Sequence, residues 1–283
     1  MKNHSGKNKT VIAYIGHKSV LAKSFVKYYY KDFIFKCYSG DIRNSNKLKL
    51  WLIKNPDINV FINFAAITSN KNCEKDKKKA LEVNYKSPMR LINLLNSTNI
   101  KKFKYFLSLS TSHVFKKSKF KLKENSPKKP INYYGITKLA LEKYILKNQN
   151  KFKFRIGIAR IFNYYNNGQK KGFFVNDVIK KIKGKKKIIR FNYVNSYRDF
   201  ISMKNINTAL FQMINLKLKN DYNICSGKKI YLPDIIYYLN KKYKKNILII
   251  EKKQNDCLIG SNIKLKKRGW KITNINFFNE LTK

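Results

Sequence analysis

Residues 105–142 read YFLSLSTSHVFKKSKFKLKENSPKKPINYYGITKLALE, and the rest of the chain is arranged about them. Tyr105–Leu109 is a short apolar run, a buried strand, and it ends in the hydroxyl series Ser110-Thr111-Ser112. A polar loop then leads to Tyr134-Gly-Ile-Thr-Lys138 at the head of a helix. Tyr134 and Lys138 stand four residues apart, so they share one helix face. A hydroxyl, a phenol and an ammonium meeting at one point are the groups needed to move a proton onto a carbonyl oxygen.

The Tyr/Lys spacing by itself carries no information. The chain has 19 Tyr and 63 Lys plus Arg, and only seven of the 63 are Arg. Random placement then gives about four Tyr-x-x-x-Lys matches. Four occur, at Tyr14/Lys18, Tyr134/Lys138, Tyr237/Lys241 and Tyr238/Lys242. Tyr134 is set apart by context: it follows a strand ending in Ser-Thr, and Pro130 and Gly135 mark the passage from loop to helix.

Upstream, residues 10–15 (TVIAYI) are a buried strand, followed by Gly16-His17-Lys18-Ser19-Val20-Leu21-Ala22 and an amphipathic helix to about Tyr30. Strand, small-residue turn and helix are the phosphate-binding start of a dinucleotide fold, which expects Gly at relative positions 0, 3 and 6. Only Gly16 fits. Ala22 still permits close packing, and Ser19 either costs affinity or adds a hydrogen bond; a strand-turn-helix with no ligand reads equally well. A second strand, Phe33–Tyr38, leads to Ser39-Gly40-Asp41-Ile42. After a helix at about 46–54, Val60–Ala66 is a third strand, whose Ala65-Ala66 end lets a flat ligand lie against backbone. One helix is expected from about Asp76 to Thr98. The alternation of strand and helix predicts a doubly wound parallel sheet with right-handed crossovers and ligands at the strands' carboxyl ends.

Downstream, Arg155–Ile161 is a strand, and Phe162-Asn163 opens a loop with Gly168-Gln169. Helices are expected at 173–183, about 204–216 and Leu232–Tyr243, with Tyr222–Gly227 a strand and turn. There are no internal repeats and no low-complexity linker.

The 43% apolar and 14% aromatic content of the 283 residues is that of a folded chain with a core. Apolar runs are short and broken by Lys, so no membrane span is expected. The start, MKNHSGKNKT, lacks a secretory h-region. Cys37, Cys73, Cys225 and Cys257 lack metal-ligand spacing and read as free thiols of a reducing, cytoplasmic setting. The net charge of +48 points first to a polyanion. Lys, Asn, Ile, Tyr and Phe are all abundant, however, which follows from A/T-rich codons, and Arg is scarce where phosphates and bases would call for it. No specific nucleic-acid partner is therefore expected, only salt-sensitive sticking.

In this order the stretches resemble the extended short-chain dehydrogenase/reductase family, the NAD-dependent epimerases, dehydratases and reductases of nucleotide sugars. The resemblance rests on Gly16–Ala22, Asp41-Ile42, Asn63-Phe-Ala-Ala66, Val83-Asn84, Ser110-Thr111 with Val114-Phe115, and Tyr134 with Lys138. It continues through Arg160-Ile-Phe-Asn163, Arg198-Asp-Phe200, Tyr222–Gly227 and Gly269-Trp270. Within the family it is similar to the 4-keto-6-deoxy nucleotide-sugar reductases, the dTDP-4-dehydrorhamnose and GDP-6-deoxy-4-keto-mannose branches.

The resemblance implies a Rossmann-type doubly wound sheet over 1–163 and roughly 192–225, with a smaller C-terminal substrate-binding lobe from 164–191 and 226–283. It implies that Gly16, His17, Lys18, Ser19, Val20 and Leu21 cover the cofactor pyrophosphate, that Asp41 and Ile42 border the adenine, and that Ala65 and Ala66 line the cleft. Thr111, Tyr134 and Lys138 become the catalytic set. Tyr134 is then the acid/base, and Lys138 binds the nicotinamide ribose and lowers the phenol pKa. Asn163 and Arg198 would hold the substrate diphosphate. No metal is implied, and a homodimer through the two helices leading into and carrying Tyr134/Lys138 is.

Family 4,6-dehydratases carry Asp-Glu directly after the Thr; here those positions are Ser112 and His113, which argues against dehydration. Plain reduction of a 4-keto nucleotide sugar asks only for Thr, Tyr and Lys. A C4-epimerase with retained NAD uses the same three and stays open, as does a non-catalytic nucleotide-binding protein. No carboxylate is evident at the end of the second strand to receive a ribose 2′-hydroxyl, and Lys18 suits a 2′-phosphate, so NADP is expected over NAD.

Overall fold

The computed structural model describes residues 9–166, 173–184, 188–191, 195–245, 248–251 and 256–281. The chain's first eight residues and the loop at Gly168-Gln169 lie outside them. In chain order the N-terminal part is β1 (Val11–Ile15), α1 (Val20–Tyr29), β2 (Ile34–Tyr38), α2 (Ser45–Ile53), β3 (Val60–Asn63), α3 (Asn70–Lys75), α4 (Lys77–Leu81) and α5 (Ser87–Ser97). Next come β4 (Tyr105–Thr111), α6 (Tyr133–Asn148), β5 (Arg155–Ile161), β6 (Asn163–Tyr164), α7 (Phe174–Lys183), β7 (Ile188–Phe191), β8 (Ser196–Arg198) and β9 (Phe200–Ile201). The chain closes with α8 (Met203–Asn215), β10 (Asn220–Ile224), β11 (Ile230–Tyr231), α9 (Leu232–Lys242), β12 (Leu248–Glu251), β13 (Asp256–Leu258), α10 (Ile263–Lys266) and α11 (Phe277–Glu280).

Six strands form one parallel sheet in the order β10-β5-β4-β3-β1-β2. All seven residues of β4 are buried. A strand covered by helices on both faces needs a continuous apolar run rather than alternation, which is what Tyr105–Leu109 supplies. On one face α1 and α8 pack Phe25, Tyr29, Ile206, Leu210 and Met213 against the sheet, joined by Leu265 and Trp270. On the other, α2, α5 and α6 bring Leu48, Leu52, Leu91, Ile92, Leu95, Leu141 and Ile145. A buried aliphatic side chain of this kind contributes about 1.5–3 kcal/mol over an exposed one. A separate apolar cluster joins α7 and α9 through Val175, Val178, Ile182, Ile235, Ile236 and Leu239.

The strand order turns back between β1 and β3, since β1 pairs with β2 on one side and β3 on the other. Such a switch point opens a crevice at the strands' carboxyl ends. Among the described residues no helix is long and apolar enough to cross a membrane.

The helix expected from about Asp76 to Thr98 is present, running unbroken from Lys77 to Ser97 through α4 and α5, and a separate short helix, α3, precedes it. Asp76 leaves helical geometry (φ −135°, ψ 79°) while its carboxylate caps the Lys79 amide, separating α3 from α4. Between α4 and α5, Glu82–Lys86 winds as a π-helical turn. Pro88, tolerated in the first turn of α5, cannot supply an interior amide. The π turn also aims Asn84 inward, as described below.

Candidate functional site

The turn after β1 is built around Gly16, whose φ of +88° favours glycine. A Cβ at Gly16 would also come within 2.5 Å of the Ala65 backbone nitrogen, so backbone meets backbone across the β1/β3 crevice. The Ser19 amide donates to the Gly16 carbonyl at 2.8 Å, but the Ser19 hydroxyl makes no cap bond. Among the described residues, the amides of Val20, Leu21 and Ala22, at the start of ten-residue α1, have no acceptor. Unpaired amides at a helix N-terminus attract an anion, and this cradle fits a dinucleotide pyrophosphate. Val20 and Leu21 are half-buried, as is His17, while Lys18 is exposed.

Ala65 and Ala66 are half-buried beside this turn, and the Ala65 amide donates to Asn63 Oδ1 at 3.0 Å. Ile42 is buried. Asp41 lies three residues beyond β2 and is exposed. Arg43 grips it through Nε, 3.0 Å from both Oδ1 and Oδ2, and through Nη2, 2.5 Å from Oδ2, and holds its carboxyl below the usual range. Its carboxylate is thus already engaged.

At the end of β4 the Thr111 hydroxyl and the Tyr134 phenol are hydrogen-bonded to one another. Asn132 starts α6 by accepting the Gly135 amide at 2.8 Å on Oδ1. Gly135 lets the helix lie against the 112–114 turn, since a Cβ there would sit 2.4 Å from the His113 carbonyl oxygen. The His113 ring meets that of Tyr134 edge-on, centroids 5.9 Å apart. Burial pushes the Tyr134 phenol well above its ordinary 10, Tyr164 adds to the shift, and the Thr111 bond opposes it. The lowered phenol implied by the resemblance is not the direction found here, because burial outweighs the other influences.

Lys138 is one turn along α6 and only 4% exposed. Among the described residues its ammonium has no hydrogen-bond or ion-pair partner. Burial takes its pKa down from 10.5 to about 8, partly offset by the Glu142 charge. Glu142 itself belongs to a buried network. Arg160 donates to its two oxygens from Nε at 2.9 Å and from Nη2 at 2.8 Å, Asp221 lies 2.5 Å from the same Nη2, and Ser110 Oγ donates to Glu142 at 2.5 Å. This network ties β4, α6, β5 and β10 beneath the site.

Asn163, in β6 beside β9, is half-buried and precedes Tyr164, whose charge reaches Tyr134. Arg198 pairs with Asp256, which Lys117 also contacts, and Arg198 Nη1 donates to the Tyr197 carbonyl at 2.9 Å. Arg198 is also near enough to His113 to depress the imidazole. Thr111, Tyr134, His113 and Arg198 therefore form one neighbourhood, and Gly16 and Ala65 another; Asp41 stands apart with Arg43.

Asn84 is a site residue that sequence reading passed over, naming it only within a motif. It is fully buried, accepts the Ile67 amide at 2.8 Å, and donates to the Ile67 carbonyl at 3.0 Å and to Thr137 Oγ1 at 3.2 Å. It thereby fastens the chain just past Ala65-Ala66 to the helix turn between Tyr134 and Lys138. A polar residue amid a helical run was the available signal. Among the described residues no group of three His, Cys, Asp or Glu could hold a metal ion. A cavity of about 330 Å³ lined by Lys104, Lys153, Arg155, Lys217 and Lys219 opens at the opposite, amino-terminal edge of the sheet, away from these groups.

Residues 6–225 match the NAD dependent epimerase/dehydratase family. The chain is 31% identical over 125 residues to a GDP-6-deoxy-D-talose 4-dehydrogenase of Aggregatibacter actinomycetemcomitans, covering 43% of this chain and 41% of that one. It is 25% identical over 175 residues to a GDP-6-deoxy-D-mannose reductase of Pseudomonas aeruginosa, covering 58% and 57%. The aligned stretches thus span less than two thirds of these relatives' own lengths. Among solved structures, RMD from Pseudomonas aeruginosa complexed with NADPH superposes with a TM-score of 0.85 at 20% identity over 96% of both chains. That likeness establishes the Rossmann-like α/β fold.

Proposed function

We infer the reaction from the premise that the chain belongs to the NAD dependent epimerase/dehydratase family. The family is NAD(P)-dependent and modifies nucleotide sugars. Our reading for this chain is reduction of a 4-keto-6-deoxy nucleotide sugar by NAD(P)H, in nucleotide-sugar and surface-polysaccharide biosynthesis. One observation carries it: the Thr111 hydroxyl and Tyr134 phenol are bonded to each other, with the partnerless Lys138 ammonium one helical turn away.

The nicotinamide, when bound, supplies the hydride. The chain's side chains handle the oxygen. Thr111 donates to the substrate carbonyl oxygen and favours the charge that develops there. Tyr134, kept protonated through neutral pH by its raised pKa, gives its proton to that oxygen. Lys138 holds the nicotinamide ribose, its cation using the hydrogen-bonding capacity that the protein leaves open. Gly16 and the amides of Val20, Leu21 and Ala22 take the pyrophosphate, and Asn163 and Arg198 the substrate diphosphate, where a guanidinium offers two parallel bonds. The large sheet carries the cofactor, and the lobe built on α7 and α9 the sugar nucleotide. NADP is favoured because the Asp41 carboxylate is held by Arg43 and, among the described residues, no other is evident near the end of β2. Two copies pair through α5 and α6; a solution mass of twice 33.5 kDa by light scattering checks this.

The test is incubation with the 4-keto-6-deoxy derivatives of GDP-mannose and dTDP-glucose, each with NADPH and NADH, following the nicotinamide absorbance. Oxidation of NADPH matched by loss of one keto sugar is expected; no oxidation in any of the four mixtures contradicts the reading. The same three groups also serve a C4-epimerase with retained NAD. Interconversion of nucleotide sugars with no added cofactor would select that alternative.

A further inference from the structure

We propose that His113 is a fixed hydrogen-bond donor to a substrate oxygen, presenting Nε2–H, and not a base toward the carbons beside the carbonyl. The proposal rests on the nucleotide-sugar reading above, and it follows from one amide. Asn132 must present Oδ1 to the Gly135 amide, 2.8 Å away, because only an oxygen can accept it. Its other end, the NH2 group, then faces His113 Nδ1 at 2.9 Å. An amide nitrogen only donates, so Nδ1 is the bare, accepting nitrogen, and a neutral ring carries its proton on Nε2. Charging the ring would put an Nδ1–H against the Asn132 N–H and break either that bond or the helix cap.

The surroundings act in the same direction. The groups facing the ring are Asn132, Tyr134 from α6 and the cationic Arg198 from β8, and among the described residues no carboxylate contacts it. Burial, then Arg198, take the imidazole from 6.5 to about 4. Nε2 has no protein partner among the described residues. His113 stands within the Thr111, Tyr134 and Arg198 neighbourhood, so the oxygen it meets belongs to the sugar or to its diphosphate.

This fixes what the reaction leaves untouched. A hydride adds to the carbonyl carbon, the C=O π pair moves onto oxygen, and that oxygen takes the Tyr134 proton, which solvent replaces. With Nε2 already protonated and Nδ1 occupied, nothing on His113 removes a proton from a flanking carbon. His113 therefore leaves the C–H bonds there intact.

Three measurements decide it. In uniformly 15N-labelled protein, the His113 ring is assigned by its loss in His113→Gln and followed from about pH 5.5 to 8, the range in which an ordinary imidazole titrates. A bare Nδ1 and protonated Nε2 throughout are expected; an Nδ1–H tautomer or titration near 6.5 overturns the proposal, and neither result needs turnover. The second is reduction of the two 4-keto-6-deoxy nucleotide sugars in D2O. Product without His113-dependent deuterium on the flanking carbons, beyond an enzyme-free control, is expected, and enzyme-dependent deuterium there that disappears in His113→Gln refutes the proposal. His113→Gln keeps a donor and should hold KM within about threefold, whereas His113→Phe should raise KM about tenfold with kcat within about threefold, as for one lost hydrogen bond. An equal collapse of kcat in both variants marks a base. Failure of every keto sugar to react counts against the reductase reading, while the NMR still decides His113.

Discussion

Gly16 and Ala65, 49 positions apart in sequence, touch backbone to backbone, at a distance where even one added methyl would lie 2.5 Å from the Ala65 nitrogen. Gly16→Ala meets that contact and a φ of +88° together. The expected cost is about 1–3 kcal/mol or more, by strain at a left-handed backbone and displacement of the β3 end. Thermal unfolding should show the loss, and the rise in Tm on adding NADPH should disappear. An unchanged melt with full cofactor shift would mean the turn is not where the cofactor rests.

Lys138 makes stability depend on pH in an unusual direction. Its pKa is about 8 folded and near 10.5 unfolded, so between those values the unfolded chain holds the proton and the folded one does not. Stability from this group therefore rises as pH climbs from about 8 to 10.5, by on the order of 3 kcal/mol over the whole span. Comparing wild type with Lys138→Met by denaturant unfolding at several pH values isolates the effect. The variant should be the more stable below pH 8, with the gap closing above it; a gap independent of pH would contradict the burial of this ammonium.

Asn84→Leu removes an acceptor for the Ile67 amide and donors to the Ile67 carbonyl and Thr137. Stranding buried polar groups costs about 1–3 kcal/mol. Because those groups join the Ala65-Ala66 segment to the Tyr134 helix, kcat should fall further than the lost stability accounts for. Kinetics under conditions where the variant is fully folded, checked by circular dichroism, read this directly. Full activity in the folded variant would confine Asn84 to stability.

Glu142→Gln takes away the charge that Arg160 and Ser110 meet in the interior. A buried cation deprived of one anionic partner typically costs about 3–5 kcal/mol, though Asp221 remains to soften it here. Urea unfolding measures the loss. Within the protein that stays folded, the Lys138 pKa should drop below 8, since the carboxylate that raises it is gone.

The parallel sheet and most helices were legible because their signals are local and redundant. The apolar runs within 10–15 and at Tyr105–Leu109, and Pro130 with Gly135 at the passage from loop to helix, each announce one element, and the structure places β1, β4 and α6 there. The π turn inside the helix expected over 76–98 was not legible, because it depends on Asn84 finding partners at Ile67 and Thr137, 17 and 53 residues away. The missing glycines at Ser19 and Ala22 left the cradle ambiguous in sequence; the close approach of Gly16 to Ala65 is a long-range fact that spacing does not carry. Direction of the Tyr134 shift was hidden for a similar reason, since burial outweighs the other influences only once the fold is closed. The tautomer of His113 likewise hangs on an amide 19 residues away.

The Tyr134 phenol is the proton donor of the proposed reduction. In Tyr134→Phe the hydroxyl alone is lost, so NADPH should still raise the Tm while reduction of a 4-keto-6-deoxy nucleotide sugar slows by about a hundredfold or more, the usual worth of a positioned acid. A variant that binds NADPH and reduces the sugar at the wild-type rate would contradict it.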